Sequence, residues 1–222
     1  MTRMVALKYW LLAGFIAIGA SLHHAPAQAG TEKLIVAGGC FWCVESDFES
    51  VSGVKSVVSG YTGGTLANPT YKDVSKKGSG HYEAVEIRFD NNKVTRDELL
   101  YKFFRSVDPT DAGGQFCDRG APYRTAIFYK NDAQKAAAES AKAKAASDLG
   151  RKIVTPILPA KEFYKAEKVH QDYYKGTKLV LTRFGPKKQS EAYKRYRLAC
   201  GRDARVQELW GSDAPFAHKL LN

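Results

Sequence analysis

Apolar and polar positions alternate along the chain in short, well-punctuated blocks. Residues 34–37, Leu-Ile-Val-Ala, form a continuous apolar run, the pattern of a buried strand. Gly38-Gly39 ends it with a sharp turn. Phe41, Val44 and Phe48 then recur at helical spacing, which predicts a helix over 41–50. Residues 54–61 read as a second strand ending in Gly60-Tyr61-Thr62-Gly63-Gly64, and 65–79, with Asn68-Pro69 and several glycines, as loop with a short helix at Tyr71–Ser75. Apolar and polar residues alternate over 81–89, a third strand. Thr95 with Glu98 three residues later is a capping box. It opens a helix whose Leu99, Leu100, Phe103, Phe104 and Val107 share one face, and Asp108-Pro109 closes it.

After a Gly-containing loop over 111–122, residues 123–129 predict a fourth strand. Asp132–Leu149 is an Ala- and Lys-rich surface helix stopped by Gly150. Residues 153–158 predict a fifth strand, confined by Pro156 to an edge or a bulge. Residues 166–174 and 191–199 read as helices, and the pattern beyond Cys200 predicts no element. The core order strand-helix-strand-strand-helix-strand is ferredoxin-like: an α+β two-layer sandwich with a mixed or antiparallel sheet.

The first 29 residues change the domain picture. Arg3 and Lys8 make a basic start, 9–22 is an apolar run too short for a membrane span, and Ala27-Gln28-Ala29 has the small-x-small form of a cleavage site. Residues 1–29 therefore read as a secretory signal peptide, with an uncleaved anchor as the alternative, and 30–222 as a single domain. Export to a periplasmic compartment, without stable membrane insertion once the signal is removed, is the expectation. Losing Arg3 and Lys8 takes the formal charge from +11 to +9. The basic residues are scattered and do not interleave with aromatics, which argues against nucleic-acid binding.

All four cysteines, Cys40, Cys43, Cys117 and Cys200, follow the signal. An oxidising compartment permits disulfides, but four cysteines allow three full pairings and spacing does not choose among them. Cys40 stands where a strand hands over to a helix. Unpaired N–H groups and the positive end of the helix dipole favour thiolate there, the nucleophilic form. Phe41 and Trp42 beside it are either core or an apolar wall for a small group such as a methyl. Strict alternation puts Glu83 on the face of Val85, Ile87 and Phe89. Desolvation there keeps a carboxyl protonated, as a general acid requires. Tyr71, Asp118 and Tyr123 lie in or beside polar, Gly-containing loops, where functional groups concentrate. His81 and His170 with the cysteines could make a metal site, but there is one Cys-x-x-Cys and no second pair at zinc-ribbon spacing follows, which argues against metal binding.

These blocks together resemble the A-type peptide methionine sulfoxide reductases, which act on the S epimer. The resemblance is carried by Gly39-Cys40-Phe41-Trp42, by Gly60-Tyr61-Thr62-Gly63-Gly64 with Asn68-Pro69-Thr70-Tyr71, and by Gly80-His81-Tyr82-Glu83-Ala84-Val85. Asp118-Arg119-Gly120 with Tyr123-Arg124-Thr125-Ala126-Ile127, and Ala166-Glu167-Lys168-Val169-His170-Gln171-Asp172-Tyr173-Tyr174, extend it to residue 174. It implies Cys40 as nucleophile, Phe41 and Trp42 around the sulfoxide methyl, and Glu83 as proton donor. It further implies Tyr71 and Tyr123 as hydrogen-bond partners of the sulfoxide oxygen, and Asp118 ordering the pocket. The implied reaction leaves Cys40 as a sulfenic acid, which a second thiol converts to a disulfide and an external thioredoxin-like dithiol resets. Oxidised proteins or free methionine sulfoxide are the implied substrates, and neither metal nor bound cofactor is needed.

Two departures bear on recycling. Many members have Gly where this chain has Cys43, and many end in a Gly-rich tail with paired cysteines where this chain has Cys200 alone. Cys200 follows a helix end, and Gly201 gives it freedom to swing inward, so Cys200 is the expected recycling cysteine and Cys43 the alternative. The rival reading is a thiol-disulfide oxidoreductase built on Cys40-Phe41-Trp42-Cys43. A non-enzymatic, disulfide-stabilised binding protein is a second rival, without a reactive thiol.

Overall fold

The computed structural model describes residues 30–76 and 78–217. The signal-peptide reading of 1–29 lies outside the described residues. Strands β1 (Thr31–Gly38), β2 (Val54–Thr62), β3 (Tyr82–Asp90), β4 (Gly114–Gln115), β5 (Asp118–Arg119) and β6 (Thr125–Tyr129) alternate with helices α1 (Phe41–Glu49), α2 (Tyr71–Ser75) and α3 (Arg96–Phe104). Then come α4 (Asp132–Leu149), β7 (Ile157–Pro159), β8 (Tyr164–Lys165), β9 (Leu179–Thr182), β10 (Gly185–Lys188), α5 (Gln189–Ala199) and α6 (Arg202–Trp210).

The main sheet runs β7-β6-β1-β3-β2-β8. Its inner four strands, β6-β1-β3-β2, are antiparallel throughout. With α1 after β1 and α3 after β3, they form the expected ferredoxin-like core. β7 joins β6 in parallel at one edge, and β8 pairs with β2 at the other.

Both faces of the sheet are covered. Val36, Val57, Val85, Ile87 and Ile127 pack with Phe41, Val44 and Phe48 of α1, with Leu99, Leu100, Phe103 and Phe104 of α3, and with Ala138 and Ala145 of α4. Ile35, Ala37, Tyr82, Ala84, Ala126 and Phe128 form a second cluster on the other face, under Leu158 and Phe163. That is why β3 is nearly continuously buried although its sequence alternates.

Three expectations are corrected. Residues 166–174 are not an α-helix but two single 3₁₀ turns, Lys168–His170 and Tyr173–Lys175. Their polar side chains serve other backbones. Gln171 accepts from Ser59 N–H at 3.2 Å and donates to Ser59 and Ala166 carbonyls at 2.9 Å. Asp172 is left-handed at φ 55°, and its N–H donates to buried Glu45 at 2.9 Å. The strand expected over 153–158 is reduced to β7, which starts just past Pro156, at the sheet edge. The helix expected to run to Val107 stops at Phe104, while Val107 stays buried in the core.

The C-terminal stretch adds what the pattern did not show: a β9–β10 hairpin and, after left-handed Gly201 (φ 70°), helix α6. Arg202, the first residue of α6, donates to the carbonyls of Gly38 at 3.2 Å and Ser106 at 3.0 Å. The tail is thereby fastened to the turn that carries Cys40.

Candidate active site

The turn between β1 and α1 needs both of its glycines, for different reasons. Gly39 is left-handed at φ +81°, and a Cβ there would also meet Gln115 Cβ at 2.6 Å. A Cβ on Gly38 would press on Val44 and Val107 at 3.0 and 3.1 Å. The next residue, Cys40, is the N-cap of α1, its carbonyl accepting from Cys43 and Val44 N–H groups.

Glu83 reaches this helix start from the middle strand and is 3% exposed. Its Oε2 accepts from the Phe41 N–H at 3.1 Å. Burial pushes its carboxyl up to about 8, against the pull of that hydrogen bond and with help from the charges of Asp118 and Cys43. At neutral pH it holds its proton, as the alternation argument required.

The thiols differ from expectation. The Cys40 side chain makes no capping hydrogen bond, and Glu83 has taken the Phe41 N–H, the first free donor of the helix. Cys40 instead hydrogen-bonds with Cys43; that bond, followed by burial, raises the Cys40 thiol well above its ordinary value. The same bond, helped by Arg202 and Arg197, brings Cys43 down to about 7 against the cost of burial. The first proton to leave therefore belongs to the pair, with Arg202 and Arg197 favouring its loss and burial opposing it.

Around the thiols is a cavity of about 490 Å³, lined by Cys40, Phe41, Trp42, Tyr71, Glu83, Asp118 and Tyr123 among others. The structure therefore brings together every substrate-side residue singled out in the sequence. Phe41 lies 6.3 Å from Trp42 and 6.3 Å from Tyr71 between ring centroids. The Tyr71 and Tyr123 hydroxyls hydrogen-bond each other, and burial raises both phenols, Tyr123 to about 12. Both hydroxyls stay protonated and able to donate. Burial also raises Asp118, with Arg202 opposing.

Sequence reasoning gave no role to several residues that build this site. Trp42 stacks on Tyr173 with centroids 3.8 Å apart, and His170 packs against Phe41, Trp42 and Tyr71. Glu167 accepts from Tyr71 N–H at 2.7 Å and Tyr61 hydroxyl at 2.8 Å. The non-helical 166–175 segment thus gives Tyr173 to the cavity lining and backs the aromatic wall with His170 and Glu167. His81 is elsewhere engaged, its ring nitrogens meeting Leu66 O at 2.8 Å and Gly64 N at 3.3 Å. The two histidines set beside the cysteines therefore do separate structural work.

Cys200 is not beside Cys40 as a free thiol. It is bonded to Cys117, with Cα atoms 4.9 Å apart, while Cys40 and Cys43 are the free cysteines. Cys117 and Cys200 nevertheless line the same cavity.

Comparison with known proteins decides what this arrangement is. The family model for peptide methionine sulfoxide reductase matches residues 32–213. The chain belongs to that family. It is 47% identical over 214 residues to peptide methionine sulfoxide reductase MsrA 2 of Caulobacter vibrioides, covering 95% of this chain and 100% of that one. It is 46% identical to MsrA of Bacillus subtilis, over 79% of this chain and 94% of the relative. Among solved structures, methionine sulfoxide reductase A of Corynebacterium diphtheriae superposes with a TM-score of 0.59 at 34% identity, over 67% of this chain and 76% of that one. Mxr1 from Saccharomyces cerevisiae in reduced form gives 0.63 at 29% identity, over 65% and 84%. The reductase is an A-type enzyme, and its activity is the thiol-dependent reduction of methionine sulfoxide.

Proposed function

We propose the following division of labour for that reaction. Cys40 attacks the sulfoxide sulfur while protonated Glu83 gives its proton to the oxygen. Methionine leaves, the oxygen stays on Cys40 as a sulfenic acid, and the sulfoxide sulfur has gained the two electrons that Cys40 lost. Tyr71 and Tyr123 donate to the sulfoxide oxygen, Phe41 and Trp42 hold the methyl, and Asp118 orders the cavity. The observation that carries this reading is the meeting of a thiol and a protonated carboxyl at one helix start, inside an aromatic wall. A disulfide oxidoreductase on Cys40 and Cys43 alone gives Glu83 and the two tyrosines nothing to do.

The substrate is the S epimer, free or in a protein chain. Incubation with racemic methionine sulfoxide and a small dithiol should consume the S form and spare the R form. Cys40→Ser should consume neither epimer, with its fold intact. Consumption of both epimers, or turnover by the Ser variant at the parent rate, contradicts the assignment.

For recycling, the geometry favours Cys43 over Cys200 as first partner. Cys43 already hydrogen-bonds Cys40, whereas Cys200 is held by Cys117. Cys43 condenses with the Cys40 sulfenic acid, forming a disulfide and releasing water. The Cys117–Cys200 pair at the same cavity, once reduced, is placed to exchange with that disulfide, and a thioredoxin-like dithiol then reduces it. The basic start, apolar run and Ala27-Gln28-Ala29 support export with the mature chain starting at Gly30, acting on oxidised envelope proteins. Release by osmotic shock, with Gly30 as first residue, checks this; full-length chain in the cytosolic fraction contradicts it.

A further inference from the structure

Two leucines stand in solvent beside the cavity, and the reaction above gives them nothing to do. They are Leu179 and Leu181 of β9, 66% and 86% exposed. Alternation puts both on one face of the strand and Val180 on the other. Val180 packs inward, on the cluster of Cys43, Tyr173, Ala192 and Tyr193. The outer face is widened by β10, where Pro186 lies opposite Leu181 and Lys188 opposite Leu179, both exposed.

The hairpin is seated on α5. Phe184 meets the Tyr196 ring at 5.5 Å between centroids, and the Arg183 guanidinium lies 4.9 Å from the first ring and 5.4 Å from the second. Leu181, Thr182 and Arg183 line the same cavity as Cys40 and Glu83. Leu181 thus belongs to the outer face of the hairpin and to the cavity wall at once.

Single exposed apolar residues are ordinary on a protein surface. A strand that turns alternate leucines outward beside a reaction cavity is different, and marks a contact surface. What covers it follows from the shared wall. A methionine sulfoxide residue that enters the cavity to reach Cys40 brings its chain neighbours to the rim, where Leu181 stands. Charge disfavours a second copy of this chain as the occupant. Residues 176–190 carry Lys178, Arg183, Lys187 and Lys188 and no carboxylate, so two hairpins placed face to face bring like charges together.

We propose that the outer face of the β9–β10 hairpin is the docking surface for the substrate's own polypeptide, with Leu179, Leu181 and Pro186 receiving apolar side chains that flank the sulfoxide residue. This rests on the reading of the cavity as the place where Cys40 reduces the sulfoxide. The hairpin makes the enzyme selective among oxidised methionines by their neighbours. A lone methionine sulfoxide has no neighbours and gains nothing from it.

The test compares substrates with a small dithiol as reductant. One is a methionine sulfoxide residue blocked at both ends. The others are a short peptide with the sulfoxide among glycines and serines, and the same peptide with leucines on either side of the sulfoxide. In the parent, kcat/KM should be about tenfold higher for the leucine-flanked peptide than for the glycine-serine one, a gain that partial burial of leucine side chains supplies. Leu179→Asp and Leu181→Asp should each cut that ratio by about threefold or more, and Leu179→Met should keep it. Should Leu181→Asp fail to fold, the parent's ratio and Leu179→Asp, at a more exposed remove from the cavity wall, decide. A parent that does not distinguish the two peptides, or folded aspartate variants that keep the full ratio, overturns the proposal. A loss confined to assays with a thioredoxin-like reductant gives the face to the reductant, and a parent dimer that Leu181→Asp separates gives it to a second copy; either also overturns it. A parent that reduces none of the substrates, the blocked residue included, fails the reductase reading itself, a result distinct from all of these.

Discussion

Glu83→Gln tests the acid at the centre of the reading through two independent readouts. Glutamine keeps the shape of the side chain, and its carbonyl oxygen can still accept from the Phe41 N–H that Glu83 now meets at 3.1 Å. It cannot deliver a proton. Loss of positioned proton transfer should lower the reductase rate by about 10²–10⁴-fold.

The second readout is stability. Burial lifts this carboxyl from its ordinary 4.5 to about 8. A group held protonated by the fold contributes stability that is complete below the unfolded value and is lost as pH climbs to the folded value. At about 1.4 kcal/mol for each tenfold change in proton affinity, the parent should lose about 5 kcal/mol from this group between pH 4.5 and 8. The glutamine variant has nothing to lose there. Glu45, raised to about 7 mainly by burial, titrates in both proteins and cancels in the comparison. Urea unfolding of both at pH 5 and pH 8.5 gives the difference directly, and the variant should gain on the parent as pH rises. A stability difference that stays constant across that range would show that Glu83 is ionised in the fold, and the general-acid argument would fall with it.

Further outcomes follow from the same geometry. The pH profile of kcat/KM should be bell-shaped, falling below about 7 as the thiol pair becomes fully protonated and above about 8 as Glu83 ionises; a rate still rising at pH 9 would argue against an acid at Glu83. Tyr123→Phe should lower kcat/KM by about tenfold, the worth of one hydrogen bond near the upper end of the neutral range. Adding Tyr71→Phe should cost less than the product of the single effects, because the two hydroxyls hydrogen-bond each other; fully multiplicative losses would mean the two hydroxyls act separately. Cys43→Ser should retain one stoichiometric turnover and lose cycling with any dithiol, whereas Cys200→Ser should lose cycling chiefly with a thioredoxin-like protein; the opposite pattern would make Cys200 the direct partner of Cys40.

Periodicity reached the core because the core obeys it. Leu34, Val36, Val85 and Ile87 are buried by strand alternation and sheet pairing, and the strand order follows from which runs are strands and which are helices. Glu83 was legible for the same reason, as the odd polar residue on an apolar face. The 166–174 segment was misread because its apolar and charged spacing suits a helix. Nothing in the spacing says that Glu167 and Gln171 spend their polar groups on Tyr71 and Ser59. Arg197 and Arg202 were hidden in a basic tail, where charge ordinarily means solvent, and only the tertiary structure shows them buried against α1. The Cys117–Cys200 bond joins residues 83 positions apart, beyond anything local pattern can pair.

The same placement explains how one small buried site can hold an acid and an anion together. Two negative charges near each other in a desolvated site repel, so only one of Glu83 and the thiol pair can ionise cheaply. The Cys43 charge raises Glu83, and no arginine is among the groups that act appreciably on Glu83. Both arginines act on Cys43 instead. The positive charge delivered by α5 and α6 therefore lies on the sulfur side of the α1 start, and the sheet side is left without a counter-charge. The anion goes to sulfur, and the proton stays on the carboxyl, which is the distribution the reaction consumes.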